Sequence, residues 1–281
     1  MSHLSLAHAR DRVKGLDIDK VVAVIARAAS CGASGYTFSI PHPTNSQILK
    51  SLKKRGLPSN SFRLYPILPY AEGLVRTANV KGMRGLATEL MSEMSLGAKS
   101  KAMLKSVLST VAFDPTKILR AYVDLELGKC LSAVGDASIG AVLLHEVLVD
   151  LCLSFGQVNL LNTFAEHVRD RYHTTPGFVT RNFVRFVEFS RDNLSMEDSV
   201  IMAPFNSVGF QMNPSKKSCE NCLATMSKGR VFAISVLAAG YLKLNEAVEY
   251  LKALPNVSGV AVGVSSVKHA VETFTLFKTL G

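Results

Sequence analysis

Apolar runs and amphipathic stretches alternate along the chain, most clearly near its C-terminus. Val231-Phe-Ala-Ile-Ser-Val-Leu-Ala-Ala-Gly240 is almost continuously apolar and ends in small residues. A helical pattern over Leu244–Leu254 follows, and then Val260-Ala-Val-Gly-Val-Ser-Ser266 opens a final helix. This reads as two consecutive βα units, each strand stopping where a ligand could approach backbone amides. The same alternation predicts further strands at Gly35–Ile40, Phe62–Tyr70, Ala141–Glu146, Gly177–Asn182, Val200–Phe205, Arg230–Val236 and Val257–Gly263. A first strand within His3–His8 is the weakest of the set.

Helices are predicted at Asp19–Ser30, Asn45–Arg55, Asn159–Tyr172, Phe183–Asp192, Ser215–Met226, Leu244–Leu254 and Val267–Leu280. Between Tyr70 and Gly135 the periodicity is helical throughout, at Met83–Met94, Ala98–Val111 and Pro115–Ala133. Asp114 before Pro115 is a strong helix start, an N-cap followed by proline at the first helical position. Sustained βα alternation favours a parallel sheet, and eight units close a barrel of about 250 residues. The expectation is an α/β fold, a (βα)8 TIM barrel forming a single domain over 1–281, with a helical elaboration at about 83–133 after the third strand.

Composition supports a large core, with 48% hydrophobic and 19% charged residues among 281. No apolar run reaches the roughly 20 residues of a membrane span, and the N-terminus lacks a basic region followed by an apolar signal segment. Five scattered cysteines do not form a disulfide framework, so a cytoplasmic location is expected. The net charge of +10 is dispersed, with no basic run longer than three. A small anionic ligand is therefore the expected partner, ahead of nucleic acid or membrane. A homo-oligomer is compatible with the sequence, which does not set the oligomeric state.

In such barrels, functional groups sit where strands end. By that rule Ser39 and His42, Tyr70 and Glu72, His145 and Glu146, Arg181 and Asn182, and Asn206, Gln211 and Asn213 gather at one mouth. Ala239, Gly240, Gly263, Ser265 and Ser266 follow the last two strands. Gly263-Val-Ser-Ser266 is the strongest of these segments. Its glycine admits a ligand to the main chain, and the serines open a helix whose N-terminal dipole favours an anion. Serine is also an ordinary N-cap, so these residues can equally do no more than start the helix. Phe205-Asn-Ser-Val-Gly-Phe-Gln-Met-Asn213 offers several carboxamides, in a pattern that turn chemistry also produces.

His145 lies in an apolar strand, where a histidine is often a satisfied core residue. If both remain within the strand, its neighbour Glu146 faces the opposite side, so at most one of the two enters the barrel mouth. Cys219-Glu-Asn-Cys222 lacks a second ligand pair at zinc spacing and reads as a chance pair, and no metal is expected.

The segment Ala141–Gly281 resembles the aldo-keto reductase superfamily of (βα)8 barrels. Val142-Leu-Leu-His-Glu146 is similar to the family's fourth strand, which ends in a histidine near the substrate. Thr175-Thr-Pro-Gly-Phe-Val-Thr-Arg-Asn-Phe183 is similar to the segment whose Ser-Asn pair holds the nicotinamide, here Arg181-Asn182. Phe205-Asn206, Val236–Leu242 and Val262–His269 resemble the segments that face the cofactor and its phosphates. The resemblance implies an NAD(P) cofactor held by Arg181, Asn182, Asn206, Ala239, Gly240, Gly263, Ser265 and Ser266.

The first half departs from the family pattern. Phe38-Ser-Ile-Pro-His42 replaces the family's aspartate and tyrosine, and Pro66-Ile-Leu-Pro-Tyr70 lacks its lysine. The catalytic candidates are then His145, Tyr70 and His42. Three expectations follow: an atypical oxidoreductase, a catalytically inactive barrel that serves as a binding or scaffold protein, and a lyase or aldolase using Lys216 or another residue. The lyase ranks last because no lysine lies inside a predicted strand.

Overall fold

The structure, a computed structural model, describes residues 17–39, 44–68, 114–135, 138–194 and 198–280. Seven strands are present among them: β1 (Gly35–Ser39), β2 (Arg63–Leu68), β3 (Ala141–Leu144), β4 (Thr175–Val179), β5 (Val200–Pro204), β6 (Arg230–Ile234) and β7 (Val257–Val260). They pair in sequence order, every pair parallel, so β1 and β7 are the two edges. They correspond to the second through eighth strands expected from the sequence. The expected strand at His3–His8 lies outside the described residues.

Alternation along each strand sorts the side chains onto two faces. Val142, Phe178, Ile201 and Val231 join the large cluster shared with the helices, whereas Leu143, Val179, Met202, Phe232 and Ile234 form a second cluster on the opposite face. With both faces covered, β3 and β5 are buried along their whole lengths, as nearly continuous apolar runs require.

The sheet is curled. Phe232 on β6 meets Tyr65 on β2 edge to face with ring centroids 5.7 Å apart. Four strand spacings of about 4.8 Å each would hold those rings roughly 19 Å apart in a flat sheet. Room for Tyr65 comes from two glycines. A Cβ on Gly35 would lie 2.5 Å from its ring, and one on Gly140 would lie 2.7 Å away.

The helices lie on the convex side: α1 (Ile18–Ser30), α2 (Asn45–Lys54), α3 (Pro115–Val134), α4 (Glu146–Phe155), α5 (Val158–Tyr172), α6 (Phe183–Asn193), α7 (Lys216–Thr225), α8 (Leu244–Lys252) and α9 (Val267–Phe277). The first and last of them meet, Val24 and Ala28 of α1 packing on Ala270 of α9. The curl thus brings the two ends of the sheet together through their helices, although β1 and β7 do not pair.

Two features differ from the sequence expectation. Helix α3 packs against α2 and α5 as the crossover between β2 and β3, so this part of the expected insert at 83–133 belongs to the regular layer. The expected helices Met83–Met94 and Ala98–Val111 lie outside the described residues. Helix α4 was not expected at all, because Glu146-Val-Leu-Val-Asp-Leu-Cys-Leu-Ser-Phe155 is too uniformly apolar to display a helical period. His145 caps its start and Gly156, in the left-handed region at φ 62°, ends it.

Phe178 is fully buried, with Phe164 at 5.8 Å and Phe186 at 5.1 Å between ring centroids. Truncating it leaves a cavity between β4, α5 and α6. Phe178→Ala is expected to cost about 3–5 kcal/mol in urea unfolding, and a loss below about 1 kcal/mol would contradict this packing.

Candidate functional site

The strands run in one direction, so their C-terminal ends collect on one side of the sheet together with the loops that follow. At the end of β3, His145 and Glu146 both lie beyond the strand, which stops at Leu144. The opposite-face expectation for this pair therefore does not apply. His145 is the N-cap of α4: its Nδ1 accepts the Val147 N–H at 3.2 Å, and its own N–H donates to the Leu68 carbonyl at 2.6 Å. With Nδ1 engaged as acceptor, the neutral imidazole carries its proton on Nε2. Glu146, in the first turn of α4, forms an ion pair with Arg181.

The loop after β4 is fixed by α4. Thr180, fully buried, donates its hydroxyl to Asp150 Oδ1 at 2.6 Å and accepts the Asn182 N–H at 2.9 Å. The Arg181 N–H reaches Asp150 Oδ2 at 3.4 Å. Asp150 and Thr180 were missed by the sequence reading. The one available signal was an aspartate placed within an apolar run. Asn182 caps α6 only through its backbone, and its carboxamide has no hydrogen bond among the described residues.

Beyond β5, Asn206 is fully buried and its carboxamide is committed to protein. Oδ1 accepts the Phe210 N–H at 2.7 Å, and Nδ2 donates to the carbonyls of Phe210 at 2.9 Å and Ser235 at 3.3 Å. Ser235, just after β6, donates its hydroxyl to Gln211 Oε1 at 3.3 Å. Ala239 and Gly240 lie in a 3-10 turn at the same end, both exposed and both with positive φ.

After β7, Ser266 is the N-cap of α9, accepting the His269 N–H at 3.2 Å. Ser265 faces His269 Nδ1 at 3.0 Å, and Lys268 shares that first helical turn. A Cβ built on Gly263 would meet nothing within 4 Å, so the main chain there is open to an approaching group.

A cavity of about 1200 Å³ runs along the concave face and out between β1 and β7. Gly263 and Ser265 line it together with the apolar Ile67, Val179, Met202 and Ile234. His145, Arg181, Asn182, Asn206, Ala239, Gly240 and Ser266 stand at the same end of the sheet without lining it. His42 and Tyr70 lie outside the described residues. No described strand contains an aspartate, glutamate, lysine or histidine. The aspartate, glutamate, lysine and histidine side chains described at this end therefore stand on loops and helices.

No cluster of three metal-ligating side chains occurs among the described residues. None of the described helices is long and apolar enough to cross a membrane.

No protein-family profile matches the sequence, and no curated protein sequence matches it. Solved structures do. A Pseudomonas aeruginosa protein assigned to the aldo-keto reductases superposes with a TM-score of 0.60 at 14% identity, over 94% of this chain and 85% of its own. A Bacillus halodurans aldo-keto reductase, in its holo form, gives 0.57 at 13% identity over 94% and 83%. A protein assigned as 2,5-diketo-D-gluconic acid reductase B gives 0.52 at 10% identity over 94% and 83%. The chain has the aldo-keto reductase fold. Within that fold β3 and β4 are followed by His145 and by Thr180-Arg181-Asn182, the segments on which the sequence resemblance rested.

The Cys219–Cys222 pair sits on α7. Cys219 is buried and donates to the Asn213 carbonyl at 3.3 Å. Burial, with smaller contributions from Cys222 and Glu220, pushes its thiol up to about 11. Burial also raises the Cys222 thiol. Burial thus disfavours the thiolate at both. Mass spectrometry after iodoacetamide treatment at pH 8 should find Cys219 unmodified in the native protein and modified in urea. Rapid native labelling of Cys219 would contradict this environment.

Proposed function

We propose that this chain is an atypical oxidoreductase that holds a nicotinamide dinucleotide, or another phosphate-bearing small molecule, at the C-terminal end of its sheet. The observation that carries the reading is the opening at Gly263 beside Ser265, Ser266 and the start of α9. Exposed main chain, two hydroxyls, the helix N-terminus and Lys268 meet there, the donor set an anion requires. Ala239 and Gly240 on the neighbouring loop would add backbone donors to the same phosphates. The Asn182 carboxamide, without a hydrogen bond among the described residues, suits a ligand amide, with Arg181 beside it, and Asn206 supports the loop between the two regions.

A bound nicotinamide would supply the hydride. His145, which caps α4 through Nδ1, would donate a hydrogen bond or proton from Nε2 to a carbonyl oxygen of the substrate. Tyr70 and His42 are weaker candidates for that proton. In this reading the free thiols fit a cytoplasmic location.

The alternative is a barrel that binds without catalysis, acting as a binding or scaffold protein. The apolar concave face and the absence of aspartate, glutamate, lysine and histidine from the described strands favour it. Both readings require the anion site.

Thermal-shift titration with NADPH, NADH and a sugar phosphate tests the shared claim. NADPH should stabilise the protein, and Ser265→Ala combined with Lys268→Ala should weaken binding about tenfold. No stabilisation by any of these ligands would overturn both readings. Aldehyde turnover separates them: His145→Asn retains a capping acceptor but lacks the imidazole proton, and should cut kcat by about 100-fold at unchanged thermal stability. NADPH binding with no turnover of any aldehyde supports the inert barrel.

A further inference from the structure

The loops after β5 and β6 are not independent, and one buried side chain joins them. An asparagine at a strand end usually completes a turn within its own loop. Asn206 does this through Phe210, and then reaches across to the Ser235 carbonyl at 3.3 Å. Ser235 reaches back through its hydroxyl to Gln211 at 3.3 Å, so the cross-link is reciprocal. The Phe205 N–H also donates to the Ile234 carbonyl at 3.1 Å, carrying the ladder of β5 and β6 up to the start of both loops.

These loops hold an unusual share of left-handed backbone. Gly209 (φ 74°), Gln211 (φ 61°), Ser235 (φ 53°), Ala238 (φ 45°), Ala239 (φ 58°) and Gly240 (φ 89°) all have positive φ, and four of the six are not glycine. Non-glycine residues do not hold that conformation unless their surroundings impose it. The loops also carry exposed apolar side chains at the mouth: Val208 (50%), Phe210 (39%) and Tyr241 (80%).

We propose that Asn206 is a positioning residue that makes the two loops one cooperative unit, and that it does not contact the ligand. A ligand seated on the Ser235–Gly240 side then orders Phe205–Asn213 as well, and the reverse. The inference rests on the proposed ligand site for its functional consequence. The mechanical coupling stands on the hydrogen bonds alone.

Asn206→Asp tests it with little change in volume. The substitution keeps the acceptor for the Phe210 N–H and removes both donated bonds, setting a carboxylate against the Phe210 and Ser235 carbonyls. Hydrogen exchange read by mass spectrometry should show peptides 205–213 and 235–242 losing protection together, by about tenfold or more, while β3 and β4 keep theirs. NADPH affinity should fall about tenfold at pH 8 and recover at low pH, where a protonated carboxyl can donate to one carbonyl.

Ser235→Ala removes only the hydroxyl bond. It should shift both peptides in the same direction by less than about threefold, and it serves as the test if the aspartate variant does not fold. Exchange changes confined to 205–213, or absent from both peptides, would overturn the proposal. If the unsubstituted protein binds no NADPH, the functional reading fails, and the exchange experiment still decides the coupling.

Discussion

The contact between Tyr65 and Phe232 is the constraint on which the rest of the structure depends. Those side chains belong to strands separated by three others, and their rings can meet only if the parallel sheet curls on itself. Curling gathers every strand's C-terminal end around one opening and carries α1 round to α9. Gly35 and Gly140 are part of that constraint, since any side chain at either position would occupy the space of the Tyr65 ring. On the convex side the helices bury the alternate residues of the same strands. One alternation of side chains thus supplies both the core and the lining of the cavity.

Above this frame the ends of the strands are held by polar side chains. Asp150 of α4 fixes Thr180 and Arg181, and Asn206 ties two neighbouring loops. The second arrangement opposes a real cost. Each non-glycine residue in the left-handed region is destabilised by about 1–2 kcal/mol, while a typical hydrogen bond contributes about 0.5–1.5 kcal/mol net. No single bond holds such a loop, and a shared network can. Backbone held in strained conformations clusters where a protein presents main-chain groups to a ligand, which fits the position of these loops at the mouth.

Several features were readable from the chain. The strands at Gly35, Phe62, Ala141, Val200, Arg230 and Val257 are short apolar runs bounded by glycine, proline or polar residues, and the structure forms each of them, with ends displaced by a few residues. The N-caps Asp114 and Ser266 were equally visible, because a cap is a local arrangement of one side chain and the next turn. Helix α4 was hidden because Leu151 and Phe155, apolar but exposed, extend its apolar residues beyond the buried Val149, Cys152 and Leu153, so no period emerges. The strands also stop at Leu144 and Val179, short of the expected ends, and this changed the setting of His145 and Arg181.

The sequence alone determined the alternation of strands and helices, the parallel sheet and the end of it where polar residues collect, because each follows from spacing and composition along a few residues. Which of those polar groups remain free for a ligand was decided only by the tertiary structure. Asn206 and Asn182 are the same residue type at equivalent strand ends. One carboxamide is consumed by carbonyls from two loops, and the other is left without a partner among the described residues. That difference depends on which segments the curled sheet brings within about 3 Å of each other, and no local pattern encodes that distance.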